Sequence, residues 1–227
     1  MKYSEFERIM SAARMSRYVL ACGGNTKKAM TLYRLNLRLS QELFTLISCF
    51  EVAFRNAIDS HYTRQLGPDW LLDAVLPGGI FDTPTCRRTA NVIRTGHSRI
   101  SAHYTHAKLV AEMDFGLWRY LFAQPQFRAG GQTLLRIFPA RPKSTPAIQY
   151  NHTYVFNELA NINAIRNRIA HHEPICFQAN RPLVDSTPVR QQYALILYLF
   201  GWMVIDEGAL LYGLDHLPDV CQKLDSL

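Results

Sequence analysis

The sequence has no CxxC pair, and its five cysteines, at positions 22, 49, 86, 176 and 221, are odd in number and widely spaced. That excludes a disulfide framework and a zinc knuckle, and it points to reduced thiols in a cytoplasm. No apolar run is long enough to cross a bilayer, which needs about 20 residues. The most apolar stretch, YALILYLFGWMVI at 193–205, is closed by Asp206 and Glu207 and reads as a buried core helix, so no membrane partner is expected. The opening residues MKYSEFERIM carry charges throughout, unlike a secretory signal. Alternating strand patterns of useful length are missing, and so is any repeat of solenoid period. Acidic residues are scarce beside basic ones, 18 Asp and Glu against 25 Lys and Arg, for a formal charge of +7. A basic balance favours polyanions by counterion release, although many soluble proteins are mildly basic.

What is present is helical periodicity in a globular composition, 48% apolar and 19% charged. Ser4 and Glu7 have the spacing of a capping box and predict a first helix over 4–20. Cys22-Gly23-Gly24-Asn25 breaks it, and a long helix is predicted over 26–66, with Ser40 as a candidate cap for a second part. Leu43, Ile47, Phe50, Phe54 and Ile58 form its apolar stripe. Proline and glycine mark irregular stretches at 76–88 and 124–146, the second with room for a short helix at TLLRIF. Further helices are predicted from about 89, over 108–122, 151–170 and 189–212. The expectation is an all-α single domain over 1–227, divisible into an N-terminal half, 1–75, and a C-terminal half, 89–227.

One segment carries a concentration of chemistry. IRNRIAHHEP, residues 165–174, places two arginines, an asparagine and two histidines in seven residues at a predicted helix end. Asn167 and His171 are four apart and share a face. Arg166 and His171 are five apart and diverge by roughly 140° on a regular helix. They meet at one substrate only if the helix changes course near Ala170, which Pro174 encourages, or if a second copy of the motif faces the first. The residue types suit cleavage of RNA by its own 2′-hydroxyl. Histidine can take that proton or protonate the 5′-oxygen, arginine can hold the phosphate, and asparagine can orient either. No metal or other cofactor is required. Histidine and arginine at a helix C-terminus also cap carbonyls and complement the macrodipole, and spacing alone leaves both readings open.

RNRIAHHEP resembles the R-x4-6-H motif of HEPN ribonucleases in the form typical of Abi-like (abortive-infection) proteins. LYRLNLRLSQELFTLISCFEVAFRNAI at 32–58, GPDWL at 67–71, VAEMDFGLWRYLF at 110–122 and ALILYLFGWMV at 194–204 resemble the same family in the same order. The resemblance implies a HEPN-like helical bundle and a role in phage defence or a toxin–antitoxin pair through RNA cleavage. It matches Arg166 and His171 to the catalytic pair and Asn167 to the polar residue beside the arginine. His172 and Glu173 belong to the Abi-like form of the string. Some toxin members continue as R-x4-H-x-Y with the tyrosine as a modification site; Glu173 stands there instead, a departure that argues against that mode of neutralisation. HEPN nucleases usually pair their motifs, so a homodimer is implied, with an RNA or protein antitoxin as a further partner.

Other candidates come second. Arg55, Asn56 and His61 repeat the pattern at R-x5-H spacing. Glu51, Arg55 and Asp59 also make an ordinary ion-pair stripe, while His61 falls with Phe54 and Ile58 on the apolar side. His97, His103 and His106 lie within ten residues, but no ligand spacing joins them to a cysteine or carboxylate. Trp118 suits base stacking or, more ordinarily, the core. Arg168, Arg87, Arg88, Arg94 and Arg99 suit a phosphate backbone or a solvated basic face. The leading reading is a metal-independent endoribonuclease. A non-catalytic RNA-binding or sensor module and a plain helical scaffold are the alternatives.

Overall fold

The computed structural model describes residues 1–227. The chain is all-α, as predicted, with twelve helices and no sheet. They are α1 (Tyr3–Met10), α2 (Ala12–Ala21), α3 (Thr26–Leu66), α4 (Trp70–Asp73), α5 (Arg87–Ile100), α6 (His106–Glu112), α7 (Phe115–Tyr120), α8 (Gln124–Ala129), α9 (His152–Ala170), α10 (Thr187–Trp202), α11 (Glu207–Leu210) and α12 (Leu217–Asp225). A lone antiparallel bridge joins Phe177 to Val184. No helix is long and apolar enough to cross a membrane.

Several boundaries differ from the sequence reading for identifiable reasons. The first helix is two, because Ser11 takes φ 74° and its Oγ accepts Arg14 N at 3.3 Å to cap α2. The Ser4–Glu7 capping box does not form. Lys2 occupies the cap position, and Glu7 instead accepts the Tyr3 hydroxyl at 2.9 Å. Helix α3 runs uninterrupted for 41 residues through Ser40, capped at its start by Asn25 Oδ1 on Lys28 N. The predicted helix over 108–122 is broken at Met113–Asp114, where the Asp114 carboxylate caps α7 through Leu117 N at 2.8 Å. TLLRIF supplies only a 3-10 turn, Leu134–Ile137. The last predicted helix stops at Trp202: Val204 adopts φ 58°, and Ile205 N bonds back to Phe200 O at 3.1 Å. Helix α12 was missed, although Leu217, Val220, Cys221 and Leu224 have the spacing of one buried face, with Pro218 in its first turn.

The chain packs as two compact units. The first comprises residues 1–48, 164–198 and 207–227; the second comprises 49–163 and 199–206. The first is organised on edge-to-face rings: Phe6 and Tyr18 against Tyr33 at 5.5 and 5.1 Å, and Tyr18 against Phe177 at 5.0 Å. The second is organised on Phe54, which stacks on Phe50 at 5.5 Å and Phe122 at 5.8 Å, with Phe200 edge-on to Phe50 at 5.4 Å. All the predicted stripe residues of α3 are buried. The loop over 76–88 is tied down by Phe81, which is buried and donates its N–H to Ala74 O at 2.8 Å. Gly79 is required there, since a Cβ would lie 2.3 Å from Asp73 O. All five cysteines are free, and burial pushes the Cys176 thiol up to about 12, so it stays protonated.

Candidate active site

The segment 165–174 lies in the first unit, at the C-terminus of α9. The helix ends in a Schellman turn: His172 N bonds Ile169 O at 2.9 Å and Glu173 N bonds Arg168 O at 2.8 Å. That turn needs a left-handed residue, and His172 fills it at φ 56°. Glycine is the usual occupant, because any Cβ is strained there, so a histidine must be held by its surroundings. Arg168 supplies part of the hold, donating from its guanidinium to Pro174 O and lying 3.5 Å from the Glu173 carboxylate. Helix α2 supplies more. Arg14 donates to His172 O at 2.7 Å, and Arg17 donates to Gln178 O and Arg181 O, each at 2.7 Å, with its guanidinium 4.5 Å above the Phe177 ring. Asn36 of α3, only 4% exposed, accepts both Ile175 N at 2.9 Å and Cys176 N at 3.2 Å.

On this scaffold the side chains divide by role. Arg168 and Glu173 build the turn. Asn167, His171 and His172 are exposed. Arg166 is half-buried, and its Nε is buried with no hydrogen-bond partner. An orphaned buried guanidinium N–H is unusual. His171 N still bonds Asn167 O at 2.9 Å, so the helical hydrogen-bond pattern continues through His171. The change of course comes at His172, one residue too late to swing His171 toward Arg166. Within one chain the backbone therefore leaves the roughly 140° divergence of the pair uncorrected.

The second R-x5-H set lies in the other unit, on α3. Glu51 is half-buried and Asn56 exposed; Arg55 is half-buried and, like Arg166, has a buried Nε without a hydrogen-bond partner. His61 is 5% exposed, with Nε2 2.9 Å from Thr133 Oγ1. Burial first, and then the nearby Arg64 and Arg136 guanidiniums, hold its pKa below the ordinary value, so it is neutral. Asp59 Oδ1 accepts from Trp70 Nε1 at 2.7 Å and His106 Nε2 at 2.6 Å. His97 instead packs edge-on to Tyr104, and His103 is exposed. Nowhere do three His, Cys, Asp or Glu side chains gather as metal ligands.

The predicted basic face is split. Arg87, Arg88 and Arg99 line a cleft of about 760 Å³ on α5, with Arg99 paired to Glu112 at 3.0 Å. Arg94 is occupied by Val75 O and, at 3.0 Å, by Asp82. Trp118 is fully buried, a core residue rather than a stacking platform. Sequence reasoning overlooked Arg14, Arg17 and Asn36. Only Asn36 carried a signal, since it stands on the α3 stripe between the buried Leu32 and Leu39.

No curated protein and no solved structure matches this chain. A family model does, over residues 2–176, from the start of α1 through the turn that follows His171, leaving α10–α12 outside the match. With most of its length matched, including the whole of IRNRIAHHEP, the chain belongs to the Abi-like protein family.

Proposed function

We propose that this Abi-like protein is a HEPN-type, metal-independent endoribonuclease acting in abortive infection or as a toxin. Family membership supports a role in phage defence. The observation that carries the chemical reading is the presence, in one short segment at the end of α9, of an exposed His171 and a half-buried Arg166.

In the proposed reaction an imidazole takes the proton of an RNA 2′-hydroxyl, and the 2′-oxygen attacks the adjacent phosphorus. The P–O5′ bond breaks, and a second imidazole gives a proton to the departing 5′-oxygen. The products are a 2′,3′-cyclic phosphate and a 5′-hydroxyl. His171 is the acid–base group, Arg166 neutralises charge growing on the phosphate, and Asn167 orients the phosphate or the ring. His172 and Glu173 are secondary, through the turn they form. Two imidazoles are needed, and the divergence of Arg166 and His171 argues that a second chain supplies its own motif across a two-fold axis.

The same divergence favours one other reading, a non-catalytic RNA-binding or sensor module in which arginine and histidine serve separate contacts. Growth separates the two. A ribonuclease toxin slows its host when expressed, and Arg166→Ala relieves the effect. A binding module gives no Arg166-dependent growth arrest.

A further inference from the structure

The second unit contains a cleft of about 440 Å³ that none of the residues of IRNRIAHHEP lines. Its wall includes His61, Arg64 and Gln65 from α3, Arg136 from the 3-10 turn, and Ile137 and Met203. No aspartate or glutamate lines it. Arg64 and Arg136 have no carboxylate within 4 Å, unlike the Arg94, Arg99, Arg168 and Arg190 ion pairs, and in this they resemble most arginines of the chain. Arg64 uses only its Nε, on Ser60 O at 3.1 Å, and keeps its terminal nitrogens for another acceptor. Two guanidiniums beside one imidazole without a counter-charge repel one another, and an anion relieves that repulsion.

The polar network under the cleft is ordered. The single hydroxyl hydrogen of Thr133 is given to Gln65 Oε1 at 2.9 Å. Thr133 Oγ1 in turn stands 2.9 Å from His61 Nε2, and one nitrogen of the neutral ring carries no hydrogen. A proton taken up by that ring adds a third positive charge when an anion arrives to stabilise it. Arginine forks match phosphate oxygens in pairs. Ile137 and Met203 add an apolar wall suited to the face of a base, and the volume lies within the range of small-ligand sites.

We propose that this cleft binds the phosphate of a nucleotide, either free or within an RNA strand, through Arg64 and Arg136, with His61 taking up a proton on binding. The test is calorimetric titration of the full chain with three probes: inorganic phosphate, adenosine 5′-monophosphate, and a 2′-O-methyl hexanucleotide without terminal phosphates, which cannot be cleaved. The comparison protein is Arg64→Gln/Arg136→Gln, with circular dichroism to confirm its helices; Arg136→Gln alone, which removes no bond of the fold, serves if the double variant unfolds. Binding of the monophosphate that weakens at least tenfold in the variant assigns a free nucleotide. Binding of the hexanucleotide alone, weakened likewise, assigns a strand. Absence of binding by all three at millimolar concentration, or equal binding by wild type and variant, overturns the proposal. RNA cleavage is not the readout, so either result leaves the reading of Arg166 and His171 untouched.

Discussion

Arg14 and His172 stand 158 residues apart, yet the Arg14 guanidinium donates to the His172 carbonyl at 2.7 Å. The contact ties α2 to the left-handed turn at the end of α9. The residue so held is the one in an unfavourable conformation, directly after the candidate acid–base group His171. A strained residue kept in place by long-range bonds is typical of a functional segment, where position outweighs local stability.

His172→Gly removes that strain. The expected outcome is a gain of about 1 kcal/mol in thermal or denaturant unfolding, from the cost of a side chain in the left-handed region. RNA cleavage by this variant should persist, because the proposed chemistry uses His171. A variant that is more stable but inactive would transfer the acid–base role to the His172 ring.

Asn36 bridges two buried backbone N–H groups, at Ile175 and Cys176. Asn36→Leu leaves both without a partner, at a cost of about 2–3 kcal/mol. Unfolding by urea should show the loss. RNA cleavage should fall by more than the folded fraction does, since the turn after His171 is set by these bonds. An Asn36→Leu protein with wild-type stability would show that water or another group replaces the amide.

Much of this architecture was legible beforehand. Leu43, Ile47, Phe50, Phe54 and Ile58 announced the buried face of α3 because helical spacing maps directly onto burial. The end of α9 was readable from Pro174. The bonds that shape the candidate site were not: Arg14 and Arg17 are ordinary surface arginines in the sequence, and their acceptors are backbone carbonyls more than 150 residues away. The part Arg168 plays in the turn, through Pro174 O and Glu173, was likewise not readable from its spacing. Local signals also misled at Ser11 and Val204, both non-glycine residues at positive φ, where tertiary packing overrides intrinsic preference.

His61 makes stability depend on pH. Its pKa in the folded chain is held below the ordinary value near 6.5, so the unfolded chain binds a proton more readily. The contribution is fully present above about pH 6.5 and is lost as pH falls below that value toward the depressed folded pKa. The melting temperature of the wild type should drop over this window, and His61→Gln should show a shallower drop. Equal slopes would mean that His61 is not the group responsible.

The paired-motif site predicts a mass of about twice the 26.0 kDa chain by light scattering. Arg166→Ala mixed with His171→Ala should regain part of the activity that each lacks alone, because a mixed dimer restores one intact combination. An active monomer without rescue, but disabled by Arg55→Ala, would place the second half within one chain.

The most direct measurement is the chemistry of the RNA ends. Wild type, Arg166→Ala and His171→Ala are each incubated with total RNA in excess EDTA, and the cleavage termini are mapped. The expected result is 2′,3′-cyclic phosphate and 5′-hydroxyl ends from the wild type only, with both variants inactive and fully helical. Cleavage by either variant at the wild-type rate, or 5′-phosphate ends formed only when a divalent ion is restored, would contradict the assignment of Arg166 and His171.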